Sequence, residues 1–364
     1  MMTRRDLLLG ASALGAVAPT TQSCSSGSSR EEAARSLRRP ITVNNNRAGL
    51  LRELVRYATL APSSHNTQCW KFRVQERSIT IEPDFSRRCP VVDPDDHHLF
   101  VSLGCSTENL AHAALASGLQ AIARYDQTGS GAVAVSLERT QALESPLFQA
   151  ISERQCSRSA YDARPLSTEE LRLLEYAGTS SDVRLVLLTE RAAMEKVLEY
   201  VVAGNTAQMN DPAFLDELKA WIRFSAEEAV RTGDGLFSGV SGNPAMPRWL
   251  GSRVMGMFFT AKSENERYSK QIRSSAGIGV FVSGASDRAH WVEAGRCYER
   301  FALQATALGI RNALLNQPVE VGSIRPRFAS ALGLGNQRPD LVVRFGRGPT
   351  MPWSMRRPVQ AVLV

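Results

Sequence analysis

The segment Ala61-Pro62-Ser63-Ser64-His65-Asn66-Thr67-Gln68-Cys69-Trp70 sets six polar side chains in a row between a proline and the start of an apolar stretch. Proline fixes a turn, and short hydroxyl, imidazole and amide groups then offer a dense set of hydrogen-bond donors and acceptors. Such a loop can hold a ring system rich in heteroatoms. An Asx or ST turn capping a strand is the plainer reading, and it does not require six polar residues. A second segment, Glu153-Arg154-Gln155-Cys156-Ser157-Arg158, places two guanidinium groups around a thiol and a hydroxyl, chemistry that can converge on a phosphate. An ordinary pair of surface arginines at i,i+4 is the alternative. Met355-Arg356-Arg357-Pro358 adds two more cations.

Other candidate chemistry is weaker. His97-His98 follows Asp93, Asp95 and Asp96, but adjacent side chains on a helix diverge, so no metal is expected. Gly277-Ile278-Gly279 lacks the third glycine and the strand-to-helix context of a dinucleotide fingerprint. Ser241 sits in Gly239-Val240-Ser241-Gly242, without the closing glycine of a nucleophile elbow. No catalytic side chain is singled out.

The elements that must position these loops repeat. Gly104 to Leu119 aligns without gaps on Gly295 to Ile310, with Gly104/Gly295, Glu108/Glu299, Ala111/Ala302, Ala114/Ala305, Ala116/Ala307 and Gly118/Gly309 identical. Small residues at helical spacing, ended by glycine, predict two long helices able to approach a neighbour closely. Asp93, Asp95 and Asp96 complement the N-terminus of the first. Leu50–Ala58 and Glu170–Ala177 read as amphipathic helices that each end in Tyr-Ala. Strands are predicted at 70–74, 78–82, 132–137, 183–188, 277–283 and 341–345 from apolar, β-prone runs. The pattern predicts an α+β fold in two similar halves. Residues 200–275 have no counterpart in the first half and read as an inserted cover.

The N-terminus carries Arg4-Arg5 before a short run of small apolar residues from Leu7 to Ala18. Twin arginine with a short apolar stretch is the bacterial Tat export pattern, and the run is too short to span a bilayer. Ala16-Val17-Ala18 offers a cleavage site, Ser23 to Ser29 a flexible tether, and Cys24 a candidate lipid anchor. The expected location is therefore periplasmic or cell-envelope. The 364 residues carry 43% hydrophobic and 22% charged side chains, the balance of a globular protein with a large core. A net charge of +7 comes without a block of like charges, so a nucleic-acid partner is not expected. No Cys-x-x-Cys pair is present among the six cysteines, which argues against structural zinc and against thioredoxin chemistry.

Four stretches together resemble the nitroreductase family of flavoproteins, in particular its Tat-signal, internally duplicated Acg-like branch: 58–72, 93–118, 151–171 and 291–321. The resemblance implies a nitroreductase-like α+β fold of two fused copies, a pseudo-dimer with helices packed around mixed sheets, in a chain that is a monomer. The divisions are 1–30 for signal and tether, 31–146 for the first half, and 147–364 for the second half with its 200–275 insert. It implies FMN as cofactor, with Arg154, Cys156, Ser157, Arg158, Arg356 and Arg357 around the phosphate. Pro62, Ser63, Ser64, His65, Asn66 and Gln68 would approach from the other half, and Gln317, Pro318, Val319 and Glu320 would lie beside the ring. Cys156 stands where the family usually has Ser or Thr. The first half has only Asn44-Asn45-Asn46-Arg47 in place of the arginine clamp, and the second has Gly178-Thr179-Ser180-Ser181-Asp182 in place of the polar loop. One complete site per chain, between the halves, follows. The activity implied is hydride transfer from NAD(P)H to flavin N5 and on to a nitroaromatic or quinone acceptor. An exported protein that holds or sequesters FMN without NAD(P)H turnover is the alternative.

Overall fold

The computed structural model describes residues 22–42, 46–127, 129–241, 246–251, 253 and 259–364, with side chains from Ser29 onward except that of Ser241. The export pattern at 1–21, the Cys24 side chain, and Asn44 and Asn45 lie outside the described residues.

The chain opens with α1 (Gln22–Ser36), a helix where a flexible tether was expected over 23–29, and the first half continues through α2 (Arg47–Ala58), β1 (Trp70–Gln75), β2 (Ser78–Pro83), α3 (His97–Ala116), β3 (Leu119–Tyr125) and β4 (Val133–Arg139) to the short α4 (Pro146–Ala150), which crosses the expected boundary between the halves. The second begins with α5 (Thr168–Ala177), β5 (Val183–Leu188) and α6 (Arg191–Met209). It continues through α7 (Pro212–Trp221), β6 (Ile222–Arg223), α8 (Ala226–Thr232), β7 (Leu236–Phe237) and α9 (Ala261–Arg273). It closes with β8 (Gly277–Ser283), α10 (Arg288–Ala307), β9 (Arg311–Leu314), α11 (Gln317–Glu320), α12 (Arg325–Ala331) and β10 (Pro339–Gly346).

Each half builds one four-stranded sheet, in the orders β1-β2-β4-β3 and β5-β8-β10-β9. Both are antiparallel throughout. In each, the chain makes two strands, a long helix, then two more strands, and the last strand inserts between the second and third. The two sheets thus share one topology. Among the described residues, parallel pairing is confined to the β6–β7 ribbon and to single bridges, one of them Cys156 with Asn312.

Burial follows the residue pattern. β4 alternates buried and exposed positions, as expected for a strand with one face to the core and one to water. β8 and β10 are buried at every position. One face of their sheet meets the central helices, and the other is covered by α6, α9 and α12 through Val197, Val201, Ile272 and Phe328. The ends of the sequence-defined insert therefore form the outer layer of the second half.

The two long small-residue helices, α3 and α10, cross at the centre. A Cβ placed on Gly104 would lie 1.9 Å from the Val292 carbonyl oxygen, and one on Gly295 the same distance from that of Val101. Glycine at both positions lets the backbones touch. The matched acids have diverged: Glu108 bonds Arg296 at 3.0 Å and Arg300 at 3.2 Å, across the helix pair. Against the upward push of burial, His112 and these arginines hold its carboxyl down at about 2. Burial instead pushes Glu299 up to about 7, with Arg154 and Arg356 pulling the other way.

Candidate functional site

The polar loop leaves the C-terminal end of α2 and is held from beneath. Arg356 Nε donates to the Thr59 carbonyl at 2.6 Å, and its Nη2 to those of Leu60 and Ala61 at 2.9 and 3.0 Å. Arg154 Nη2 also donates to Leu60 O at 3.0 Å, and its Nε lies 3.1 Å from Glu299. Cations thus satisfy the carbonyls that a helix C-terminus leaves unpaired. Fixed at its root, the loop adopts left-handed backbone at His65 (φ 49°), Asn66 (φ 54°) and Gln68 (φ 54°). Three such residues without glycine are costly, and strain of this kind gathers at functional sites.

Above the loop lies a cavity of about 410 Å³ between the halves, within the range of small-molecule and cofactor sites. Pro62, Ser63, Ser64 and His65 line it from the first half, and Cys156, Arg158, Gln317 and Glu320 from the second. These predicted residues are brought together. His98, Ser102 and Cys105 of α3 and Tyr298 of α10 complete that wall.

The other predicted residues sit elsewhere. Asn66 donates to the Gly235 and Met355 carbonyls and accepts from Arg356 Nη1. Gln68 donates to Gly233 O and accepts from Arg357 N. Arg154 and Arg356 are buried with their guanidinium groups spent on carbonyls and Glu299, so the expected phosphate clamp reduces, among the arginines, to Arg158. Arg357 faces away, donating to Ala361 O. Ser157 is fully buried, its N–H bonded to Asn312 O. Pro318 and Val319 are buried beneath the cavity wall, outside its lining.

Arg158 has no side-chain partner among the described residues, and the backbone around it is clamped. Arg344, in the middle of β10, donates through Nη2 to the Ser157 carbonyl at 3.0 Å and the Ser159 carbonyl at 2.8 Å, with its guanidinium 4.1 Å from the Tyr161 ring. Gln271 of α9 bonds the Arg158 carbonyl. Sequence reasoning missed both. A lone arginine in the apolar run Leu341-Val342-Val343-Arg344-Phe345 was the available signal. Burial, then Arg158 and His98, depress the His65 imidazole to about 4. His65 Nε2 and Gln317 Oε1, both buried, meet no protein partner.

The opposite wall comes from the insert: Phe214, Leu218, Phe224, Phe237, Phe259 and Tyr268. The charged pair that lines it among the described residues, Glu264 and Arg267, is mutually bonded. The turn Gly233-Asp234-Gly235 ties this wall to the polar loop. Both glycines have positive φ, and a Cβ on Gly235 would lie 2.4 Å from the Trp221 carbonyl oxygen. Asp234 bonds Arg223 at 2.7 Å and also Arg87. Although burial works the other way, these bonds hold its carboxyl below the usual range. At 178–182, the second-half counterpart of the polar loop, Thr179, Ser181 and Asp182 are exposed.

No family profile matches the chain. It is 25% identical over 333 residues to a protein of Mycobacterium tuberculosis H37Rv provisionally named an NAD(P)H nitroreductase, covering 87% of this chain and 91% of that one. An uncharacterized protein of the same strain is 23% identical over 334 residues, with coverage of 86% and 92%. Among solved structures, an FMN-bound nitroreductase from Bacteroides fragilis aligns at 15% identity and TM-score 0.36, over 58% of this chain and 94% of that one. The FMN-dependent nitroreductase NfnB from Mycobacterium smegmatis, in complex with NADPH, aligns at 14% and 0.36, over 60% and 91%.

Proposed function

We propose that the chain is an oxidoreductase of nitroreductase type that binds one FMN between its halves and passes electrons from NAD(P)H to a nitroaromatic or quinone acceptor. The observation that carries this reading is the composition of the cavity: the polar loop of one half faces Arg158 and Gln317 of the other. Arg158 is a fixed cation for a phosphate, Ser63, Ser64 and His65 supply polar contacts for a ribityl chain or ring, and Gln317 and Glu320 belong to the flanking wall. His65 Nε2 and Gln317 Oε1 are polar atoms that such a ligand would satisfy. FMN bound there would supply two-electron chemistry that no side chain offers. The protein's share is to orient the ligand through the clamped Arg158 segment and to exclude water with the aromatic wall. The curated relative with a nitroreductase name supports this assignment.

The shared sheet order and the reciprocal glycine crossing support an origin by fusion of two copies, and hence a monomer with one site. The Arg4-Arg5 pattern supports passage through the Tat machinery to the periplasm or envelope. A second reading, FMN retention without NAD(P)H turnover, is favoured by one observation: the insert builds the wall that a nicotinamide would approach and is latched by Asp234. The visible spectrum of the purified chain decides between them. Bleaching by anaerobic NADPH is expected for the oxidoreductase; bleaching by dithionite alone would leave the holder. A chain that takes up no added FMN would refute both.

A further inference from the structure

We propose that Asp93, His97, His98 and Glu320 form a divalent-cation site, of the nitrogen and oxygen type that takes Zn2+, where α3 begins at the cavity wall. The adjacent histidines were expected to diverge, yet their ring centroids lie 4.7 Å apart. One ligand atom each from Asp93, His97 and His98 falls within 4.8 Å of the other two. His98 Nδ1 is 3.9 Å from both Asp93 Oδ1 and Glu320 Oε1. A tetrahedral zinc bound at about 2.0–2.2 Å separates its ligands by roughly 3.3–3.5 Å, so the 3.9 Å contacts close with a shift of about half an ångström.

Three further features point to a cation. His97 Nε2 lies 3.0 Å from Asp340 Oδ1, and its Nδ1 is buried without a partner. A carboxylate on the far nitrogen is the arrangement that fixes the tautomer of a ligating imidazole and directs its lone pair inward. Asp340 is itself held by Ser283 N and Oγ, each at 2.7 Å. Asp93 is locked in place by the amides of His98 and Leu99, both at 3.0 Å, which leaves lone pairs on each oxygen. Gln208 bonds Glu320 Oε2 at 2.7 Å and so orients its free Oε1.

Charge completes the argument. Asp93, His97 and His98 are almost wholly buried, and the Glu320 side chain is 17% exposed. Among the described residues neither carboxylate pairs with lysine or arginine. Arg338 bonds Asp95 at 2.6 Å and Arg325 bonds the Val319 carbonyl through Nε at 2.5 Å, the charge of Arg325 reaching Asp93 and Glu320 without a direct bond to either. Buried carboxylates are ordinarily paired or bound to a metal. Four protein ligands make a closed, structural site, and a first-row divalent ion suits two imidazoles with two carboxylates.

The full-length chain, without a histidine tag, is stripped with EDTA, equilibrated with ZnCl2 with and without FMN, and assayed by elemental analysis and titration calorimetry. One zinc per chain is expected in both cases, so the outcome is independent of flavin binding. His98→Gln should weaken zinc binding at least 100-fold. Asp93→Asn, which keeps an acceptor for only one of the two capping amides, should weaken it at least tenfold and abolish the zinc-induced rise in thermal midpoint. No zinc uptake, or equal uptake by the wild type and both folded variants, overturns the proposal.

Discussion

Replacing either crossing glycine by alanine tests whether the two halves are joined where the structure joins them. In Gly104→Ala the new methyl would begin 1.9 Å from the Val292 carbonyl oxygen, while Cβ atoms essentially never approach closer than 3.0 Å. The obstacle is backbone, so α3 and α10 must separate by about 1 Å. A gap of that size forfeits a quarter to a half of each atomic contact worth about 0.1–0.2 kcal/mol. Spread over roughly a hundred contacts across the helix pair, the loss is about 2.5–10 kcal/mol. Alanine returns about 1 kcal/mol of helix propensity, so the net cost is about 1.5–9 kcal/mol. Gly295→Ala meets the Val101 carbonyl in the same way. Once one methyl has parted the helices, the second costs little. The double variant should therefore fall well short of the sum of the singles, with a coupling of about 2 kcal/mol. Urea denaturation followed by circular dichroism reads all three. Single variants within 1 kcal/mol of the wild type, or strictly additive losses, would refute the crossing.

Three other perturbations follow from the site. His65 has a folded-state pKa of about 4 against an ordinary 6.5, so its burial favours the fold fully above pH 6.5 and the benefit is lost as pH falls toward 4. The loss is at most about 3 kcal/mol; His65→Asn, which tolerates left-handed backbone, should flatten this acid limb, and superimposable stability–pH curves would contradict it. Arg344→Met leaves the Ser159 carbonyl unpaired and the Ser157 carbonyl with Tyr161 Oη alone, so stability should drop by about 1–3 kcal/mol and FMN affinity about tenfold; unchanged affinity in the folded variant would separate Arg344 from Arg158. Asp234→Asn breaks the ties to Arg87 and Arg223, so the 222–241 segment should become several-fold more sensitive to protease and FMN should leave faster. Equal rates would show that the wall is held elsewhere.

Much of the fold could be read in advance because the patterns were one-dimensional. The continuous apolar runs of β8 and β10 and the alternation of β4 marked their burial. The small residues of α3 and α10 marked close helix approach. β3 and β9 escaped because one alternates with Gln120 and Arg124 and the other is only four residues long. The site was legible at Pro62–His65, whose polarity exceeds what a turn needs. The arginines were not, since Arg154, Arg158 and Arg356 differ only in which carbonyls surround them. Arg344 acts from a strand that composition marks as pure core. The rings of His97 and His98 lie closer than adjacent helical positions suggest, because Asp340 and Asp93 set the direction of the first ring and the start of the helix.

A flavin phosphate meeting Arg158 is the contact on which FMN binding turns, and FMN titration of the wild type beside Arg158→Ala and Arg356→Ala tests it most directly. One FMN per wild-type chain is predicted. Losing the charge-assisted bonds of Arg158, about 1.5–3 kcal/mol each, should weaken binding by at least tenfold, whereas Arg356→Ala should act mainly on stability. Two FMN per chain, or an Arg158→Ala variant that binds FMN as tightly as the wild type, would contradict it.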